Sequence, residues 1–495
     1  MTFWKLRYLP TTRGQCSAPR LRGTTGCADI AFDHGSRIRQ QSVILHVQLQ
    51  GITENKDQTK RLHPQVNSIT RERHNMPMSQ QEIQALRDLM EYEATRESPP
   101  AGFPHLPDIP AGRYVDQRFF DLELQHIWRK SWLLAAHIDE LPDPGCFMLW
   151  ENAGQPVLLI HGDDGAINAF YNTCSHRGAP VVTEKSGQKK RFACPYHGWS
   201  YSREGELVAI RDPQDFQQLD FSRRGLKPIR CERFGNLVFV NFDSLAPTLL
   251  EWLGPIAEEW EEFQFDNCRL AARHVFDLDC NWKIAMEANT EVYHVRSIHP
   301  TTVAPILDDR RNVNTLYPNG HGRMVAPTPQ GKVALDVMPV SPDIAQIDTV
   351  GEIGRTCTQS YGLFPNWVSP LSQFAIPPIL FWPNGINKCR METWTMAPLW
   401  KEGLQPSFWT EDGGRALSAV LKEDTQFGEK IQKSMESYGF EGVPLSYQEA
   451  RIYHWNQAAD HMIGSDNIPP ELRVEQVIGD EWIYPNDPRR AQLKR

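Results

Sequence analysis

Two stretches of this 495-residue chain decide its fold: NTCSHRGAPV at residues 172–181 and FACPYHGWSY at residues 192–201. Each offers one thiol and one imidazole, as Cys174-Ser-His176 and, after 17 intervening residues, as Cys194-Pro-Tyr-His197. A buried cysteine or a satisfied histidine is common in a core. The same pair twice, beside glycine and proline, points instead to two loops closing on one small metal site. Zinc is the competing reading, but zinc fingers run two cysteines and then two histidines, whereas here the ligand types alternate. Alternation suits a centre whose two metals are chemically different. The flanking runs CFMLWENAG (146–154), PVLLIHGDDG (156–165), AINAFYNTC (166–174) and GNLVFVNF (235–242) are short, apolar and broken by Gly and Asn, which predicts a β-rich domain of hairpins.

In a Rieske [2Fe–2S] centre two histidines replace two cysteines on one iron, raising the potential to roughly −150 to +300 mV from about −400 mV in plant-type ferredoxins. The two boxes resemble those of Rieske non-haem iron oxygenases, the terminal α subunits of the ring-hydroxylating type. The resemblance implies that Cys174 and Cys194 hold one iron and His176 and His197 the other. Gly178 and Gly198 permit close backbone approach. Tyr196 and Trp199 are candidates for an apolar cover, or for plain core.

A Rieske cluster moves single electrons and needs only its own domain, yet some 250 residues follow it. Among them, LDCNWKIAMEANTEVYHVRSIHP (278–300) contains Glu291, His294 and His299. ExxH on a helix places both side chains on one face, and His299 lies where the helix ends before Pro300. Two histidines and a carboxylate leave open positions on an iron, as in non-haem Fe(II) oxygenases. The segment resembles the NWK…YH…H motif of the same α subunits. There the carboxylate ligand comes later in the chain, and the acid three residues before the first histidine bridges to the neighbouring subunit's cluster.

By that resemblance Glu291 is the inter-subunit electron bridge, and the late stretch VLKEDTQFGEKIQKSM (420–435) supplies Asp424 as third ligand beside His294 and His299. Glu423 and Glu429 are the fallbacks, since helical periodicity cannot choose among the three. Many aromatic-ring dioxygenases carry Asp at the bridge, whereas Glu291 matches relatives that act on quaternary ammonium compounds.

The remaining sequence sets the frame. The net charge of −9 divides into +7 over residues 1–75 and −16 over the rest. An acidic body argues against a nucleic-acid binder. No apolar run reaches the roughly 18 residues of a membrane-spanning helix. Ten cysteines dispersed over the chain suggest reduced thiols in a cytoplasm. Residues 1–75, Arg-rich and without periodicity, are expected to be a disordered or non-native extension, with Met76 or Met78 as an alternative start ahead of a Ser79/Glu82 capping box. Residues 76–120 read as a helix and a connector with five prolines between 97 and 114, 121–243 as the Rieske domain and 244–495 as the catalytic domain. Residues 116–134 are expected to form one helix, and 415–437 another that covers the catalytic sheet.

The fold the resemblance implies is α+β: a small all-β Rieske domain plus a larger catalytic domain whose central antiparallel sheet, including GRMVAP (322–327), ILFWP (379–383) and CRMETWTMAP (389–398), is covered by helices. The implied cofactors are one [2Fe–2S] cluster and one Fe(2+) per subunit. The implied partners are a separate NAD(P)H-dependent reductase with or without a ferredoxin, a small organic substrate and O2, in a homotrimer that a small β subunit would or would not join. No GxGxxG fingerprint for a dinucleotide is present, which places the reductase on another protein. The first functional reading is hydroxylation or cis-dihydroxylation of an aromatic compound; the second is monooxygenation or demethylation of an N-methyl or quaternary ammonium substrate. A non-catalytic Rieske electron-transfer protein and a zinc-stabilised binding protein complete the alternatives. Substrate choice is expected to lie in NGHGRM around His321 and in the Phe/Trp-rich stretches 361–370 and 379–396, most of whose aromatics read as sheet core.

Overall fold

The computed structural model describes residues 7–8, 78–329, 345–400 and 413–489. The reading of residues 1–75 lies outside the described residues except for a two-residue strand, Arg7–Tyr8, at one edge of the large sheet.

The β-domain centres on a seven-stranded antiparallel sheet in the order Leu133–His137, Leu237–Asn241, Pro228–Phe234, Ile167–Tyr171, Val157–His161, Cys146–Trp150 and Ser186–Gln188. A three-stranded sheet, Leu207–Ala209, Ser200–Tyr201 and Phe192–Ala193, stands beside it. Phe192–Ala193 pairs with Ser200–Tyr201, so the second ligand box is the loop of a hairpin.

The second domain is built on an eight-stranded antiparallel sheet that runs from Arg7–Tyr8 through Cys268–Leu278, Cys389–Pro398, Ile379–Pro383, Trp367–Leu371, Cys357–Leu363 and Gly322–Pro327 to Val313–Leu316. Every residue of Cys389–Pro398 except Arg390 is buried, because both faces of the sheet are covered. Trp382 and Trp394 are core, as the sequence suggests for most of these aromatics. Trp382 also joins the domains: its ring lies 5.4 Å from Trp150 of the β-domain and 5.7 Å from Trp128, which in turn packs on Trp282 at 5.1 Å. Edge-to-face and tilted rings at such distances add to the burial of large apolar surfaces.

Three helical expectations change. Residues 116–134 form a helix only to Leu122, followed by a wide π-turn over Glu123–Ile127, and Leu133 already belongs to the sheet. The wide turn coincides with Glu123, which is fully buried against Lys283 Nζ at 2.6 Å. The covering helix of 415–437 is two helices, Gly413–Thr425 and Gly428–Met435. The break sits where Gly428 meets Cys280: a Cβ at Gly428 would stand 3.0 Å from its Sγ. The third change, in the ExxH segment, belongs to the metal site. The helix Gln80–Thr95 does begin at the Ser79/Glu82 capping box. Among the described residues no helix is long and apolar enough to cross a membrane.

Candidate redox and metal centres

The two ligand loops of the β-domain repeat one backbone pattern. In the first, Cys174 N–H donates to Ala179 O at 2.8 Å and Gly178 N–H returns to Cys174 O at 2.9 Å. In the second, Cys194 N–H donates to Trp199 O at 2.8 Å and Gly198 N–H returns to Cys194 O at 2.9 Å. Both glycines take positive φ, +77° and +75°, which a side chain would strain. The loops face each other: the His176 and His197 rings stand 4.6 Å apart at 71°. The thiols of Cys174 and Cys194 are free and buried, while the imidazoles are only half-buried.

The donor set of two thiols and two imidazoles suits a [2Fe–2S] cluster with Cys on one iron and His on the other. His176 Nδ1 is buried without a partner among the described residues, as suits an atom that would bind a metal. The two aromatics differ in role. Trp199 is buried and stacks on His176 at 4.6 Å and 8°, fixing that ring, whereas Tyr196 is 59% exposed and covers His197 at 3.8 Å. Sequence reading missed Tyr201, whose hydroxyl lies 3.2 Å from Cys174 Sγ and accepts from Ser175 N at 3.0 Å. Its place at the end of the second box was the only available signal.

In the catalytic domain Asn281, Trp282 and Lys283 have separate duties. Asn281 caps the helix Trp282–Glu287 through Lys283 N–H at 3.0 Å, and its amide donates to Tyr114 O and Ile386 O. Trp282 is core, and Lys283 pairs with Glu123. Gln432 accepts from Asn281 N–H at 2.7 Å, which ties the late helix to the start of the histidine segment. That contact explains why a glutamine eight residues after Asp424 belongs with the site.

The helix ends at Glu287 and resumes only at Val295, so Glu291 and His294 do not share a helix as their spacing predicts. They meet through a tight turn: the Glu291 carboxylate accepts from the backbone N–H groups of Tyr293 and His294 and pairs with His294 Nδ1. His299 ends the short helix Val295–Ile298 ahead of Pro300. Donor atoms of His294, His299 and Asp424 lie within 4.8 Å of one another, with Asp424 Oδ1 3.2 Å from His294 Nε2 and 2.6 Å from His299 Nε2.

Each imidazole therefore presents Nε2 to the shared point and has a carboxylate behind Nδ1. For His294 that carboxylate is Glu291; for His299 it is Glu423 Oε2 at 2.7 Å, itself held by Thr302 Oγ1 at 2.6 Å. Such partners fix the tautomer of a metal-binding histidine. Glu423 thus stands behind His299, and Glu429 lies apart, paired with Lys433 at 2.6 Å. Asp424 occupies the last turn of its helix, where the helix dipole disfavours a carboxylate, so its charge needs a positive partner at the site. Burial works against a charged His294, yet the carboxylates of Asp424 and Glu291 outweigh it and raise the imidazole to about 10. A cation at this point is what the surrounding charges favour, and two imidazoles with one carboxylate match a non-haem iron. Val292, Val295, Leu307, Met324 and Ala326 pack together around the segment.

His321, expected in the pocket, is instead a buried clasp: its Nε2–H donates to Trp252 O at 2.9 Å and its Nδ1 accepts from Phe364 N–H at 2.9 Å. Burial lowers it to about 4, so it stays neutral.

Two segments of the chain match known protein families. Residues 131–220 match the Rieske [2Fe-2S] domain and residues 265–465 the catalytic domain of the ring hydroxylating alpha subunit. All four cluster candidates fall in the first segment, and His294, His299 and Asp424 in the second. Over 204 residues the chain is 31% identical to the glycine betaine monooxygenase oxygenase subunit of Pseudomonas aeruginosa, covering 41% of this chain and 47% of that protein. Over 218 residues it is 32% identical to the 2-aminobenzenesulfonate 2,3-dioxygenase subunit alpha of an Alcaligenes species, covering 42% and 54%. The chain thus spans about half the length of the curated relatives it matches. A quaternary ammonium Rieske monooxygenase solved with L-carnitine shares the fold, with a TM-score of 0.60 and 21% identity over 74% of this chain and all of that one.

Proposed function

We propose, from the premise that this chain belongs to the Rieske-type ring-hydroxylating oxygenases, that it is a terminal oxygenase acting on a quaternary ammonium compound. One observation carries the oxygenase reading: His294, His299 and Asp424 converge on one point from segments 125 residues apart, each histidine backed by its own carboxylate. Aromatic hydroxylation, the first reading of the sequence, becomes second. The glycine betaine relative and the Glu at position 291 support the quaternary ammonium reading, while the aminobenzenesulfonate relative keeps the aromatic one in play.

Cys174, Cys194, His176 and His197 would hold the [2Fe–2S] cluster, and His294, His299 and Asp424 the Fe(II). When bound, the cluster supplies single electrons that originate from NAD(P)H on a separate reductase, and the iron supplies activation of dioxygen. The chain's own residues do the rest. Glu423 takes the Nδ1 proton of His299 in a hydrogen bond and leaves its Nε2 lone pair free, and Glu291 does the same for His294. Val292 and Val295, on either side of His294, pack with Leu307, Met324 and Ala326 and hold the histidine segment against the sheet. Hydroxylation of an N-methyl group then balances as R–N(CH3)3+ + O2 + 2e− + 2H+ → R–N(CH3)2 + CH2O + H+ + H2O, with the C–N bond breaking as the hydroxylated methyl leaves as aldehyde.

Glu291 is the proposed bridge to a neighbouring subunit's cluster. Tyr293, beside it, is 68% exposed, as is most of Tyr196 over the cluster loops, which fits two faces that meet head to tail in a homotrimer. The test is turnover with a surrogate reductase on glycine betaine, L-carnitine and a panel of aromatic acids, scoring NADH-dependent aldehyde and hydroxylated products by mass. Aldehyde from the ammonium compounds supports the reading; hydroxylated arenes alone would replace it with the aromatic one.

A further inference from the structure

The turn that follows His299 carries a hydroxyl aimed at the support of the metal site. His299 O accepts from Val303 N–H at 3.3 Å and from Ala304 N–H at 3.0 Å, so the chain after Pro300 closes into a turn. Val303 and Ala304 pack on the apolar cluster that contains Val292 and Val295. Of the two threonines ahead of them, Thr301 is exposed and Thr302 half-buried, and Thr302 Oγ1 donates to Glu423 Oε2 at 2.6 Å. The same oxygen lies 2.7 Å from His299 Nδ1. An ionised carboxylate oxygen offers about two lone-pair sites, so these two donors fill Oε2.

Glu423 needs such a hold more than its counterpart does. Glu291, behind His294, accepts from the peptide N–H groups of Tyr293 and His294 in its own turn. Glu423 instead reaches His299 from 124 residues away. Its side chain is 30% exposed, against 2% for His299 and 6% for Asp424, so water competes for its oxygens. A threonine is suited to win that competition, because its branched Cβ restricts χ1 and presents the hydroxyl in a fixed direction. Glu423 and Asp424, adjacent in the chain, divide the His299 ring between them, one at Nδ1 and the other at Nε2 at 2.6 Å, and Thr302 bonds the acid behind the ring.

We propose that Thr302 is a positioning residue of the iron site: its hydroxyl holds the Glu423 carboxylate on Nδ1 of His299, which keeps Nε2 of that ring turned to the point shared with His294 and Asp424. Deleting the hydroxyl leaves Oε2 with one protein donor and lets water draw the carboxylate away, so the imidazole loses the partner that orients it and the site loses affinity. This deepens the proposed function and rests on it for the iron, not for the substrate.

The experiment is a chelator competition for mononuclear Fe(II) on the full chain carrying its cluster, with the cluster's visible spectrum as the control for folding. It compares wild type with Thr302→Val, which keeps the shape and removes the hydroxyl, Thr302→Ser, which keeps the hydroxyl, and Thr301→Val on the exposed neighbour. Thr302→Val is expected to bind iron about 10-fold more weakly, the low end for a partner behind a metal ligand. Thr302→Ser is expected to stay near wild type, and Thr301→Val to match it. In a Glu423→Ala background Thr302→Val is expected to cost nothing further, since two residues that act through one contact do not add. Unchanged affinity in Thr302→Val would overturn the proposal, as would a Thr302→Ser protein as weak as Thr302→Val, or an equal loss with Glu423 already removed, which is what a merely structural threonine would give. If Thr302→Val loses the cluster spectrum, Thr302→Ala against Thr302→Ser decides, and equal affinities there would overturn it. Wild type that binds no mononuclear iron would overturn the iron reading and the proposal with it, whereas bound iron indifferent to Thr302 would overturn the proposal alone.

Discussion

In the β-domain four candidate donors fall within 24 residues, on two loops that repeat one hydrogen-bond pattern and one positive-φ glycine. In the catalytic domain three donors come from residues 294, 299 and 424, and the Asn281–Gln432 hydrogen bond is one of the contacts that join the two segments. The thiols of the first site are inside and its imidazoles half-exposed. The imidazole of His299 and the carboxylate of Asp424 are buried. A local site is a property of its loops; a non-local one depends on the packing of the whole domain.

That contrast is tested most severely by removing one ligand from each site. His294→Ala is expected to abolish turnover and mononuclear iron while leaving the visible cluster spectrum unchanged, and Cys194→Ser to bleach the spectrum while iron analysis still finds the mononuclear metal. Either substitution emptying both sites would show that the sites are not independently built. Next in size is the buried Lys283–Glu123 pair. Lys283→Met strands a buried carboxylate and is expected to cost about 3–5 kcal/mol in denaturant titration. The double variant Lys283→Met/Glu123→Leu is expected to recover most of it, and a single-variant loss near zero would mean that the pair does not hold the histidine segment.

Behind the ligands, Glu423→Gln is expected to weaken iron binding roughly 10- to 100-fold in a chelator competition, with the cluster untouched. An unchanged affinity would remove Glu423 from the site. The smallest effect is expected from Tyr201→Phe, which deletes a hydrogen bond near Cys174 Sγ. A reduced cluster gains most from that bond, so the potential is expected to fall by a few tens of millivolts in a redox titration; a rise would reverse the assigned role.

The legible parts of the molecule are those in which neighbours in sequence are neighbours in space. Alternating Cys and His, each with glycine four residues after its cysteine, announced the cluster loops, and Ser79 with Glu82 announced a helix start. Short apolar runs marked strands, and those at 322–327, 379–383 and 389–398 are strands over the same residues. Period arguments failed where a distant contact intervened. Glu291 and His294 meet through a turn rather than a helix, because the carboxylate captures two backbone N–H groups that a helix would have used. Residues 123–127 widen beside a lysine 160 residues away.

The composition and motifs by themselves determined an acidic chain with paired Cys/His boxes and a later His and carboxylate segment, because donor identity and short spacing are written in the chain, and the family resemblance those motifs carry implied one cluster and one iron site. The family resemblance singles out Asp424, whereas residue type and helical periodicity leave three neighbouring acids open, and tertiary packing is what brings Asp424 to His294 and His299. Asp424, Glu423 and Glu429 are equivalent by residue type, and only the docking of their helices against His294 and His299 separates a ligand from its support and from a solvent-facing ion pair.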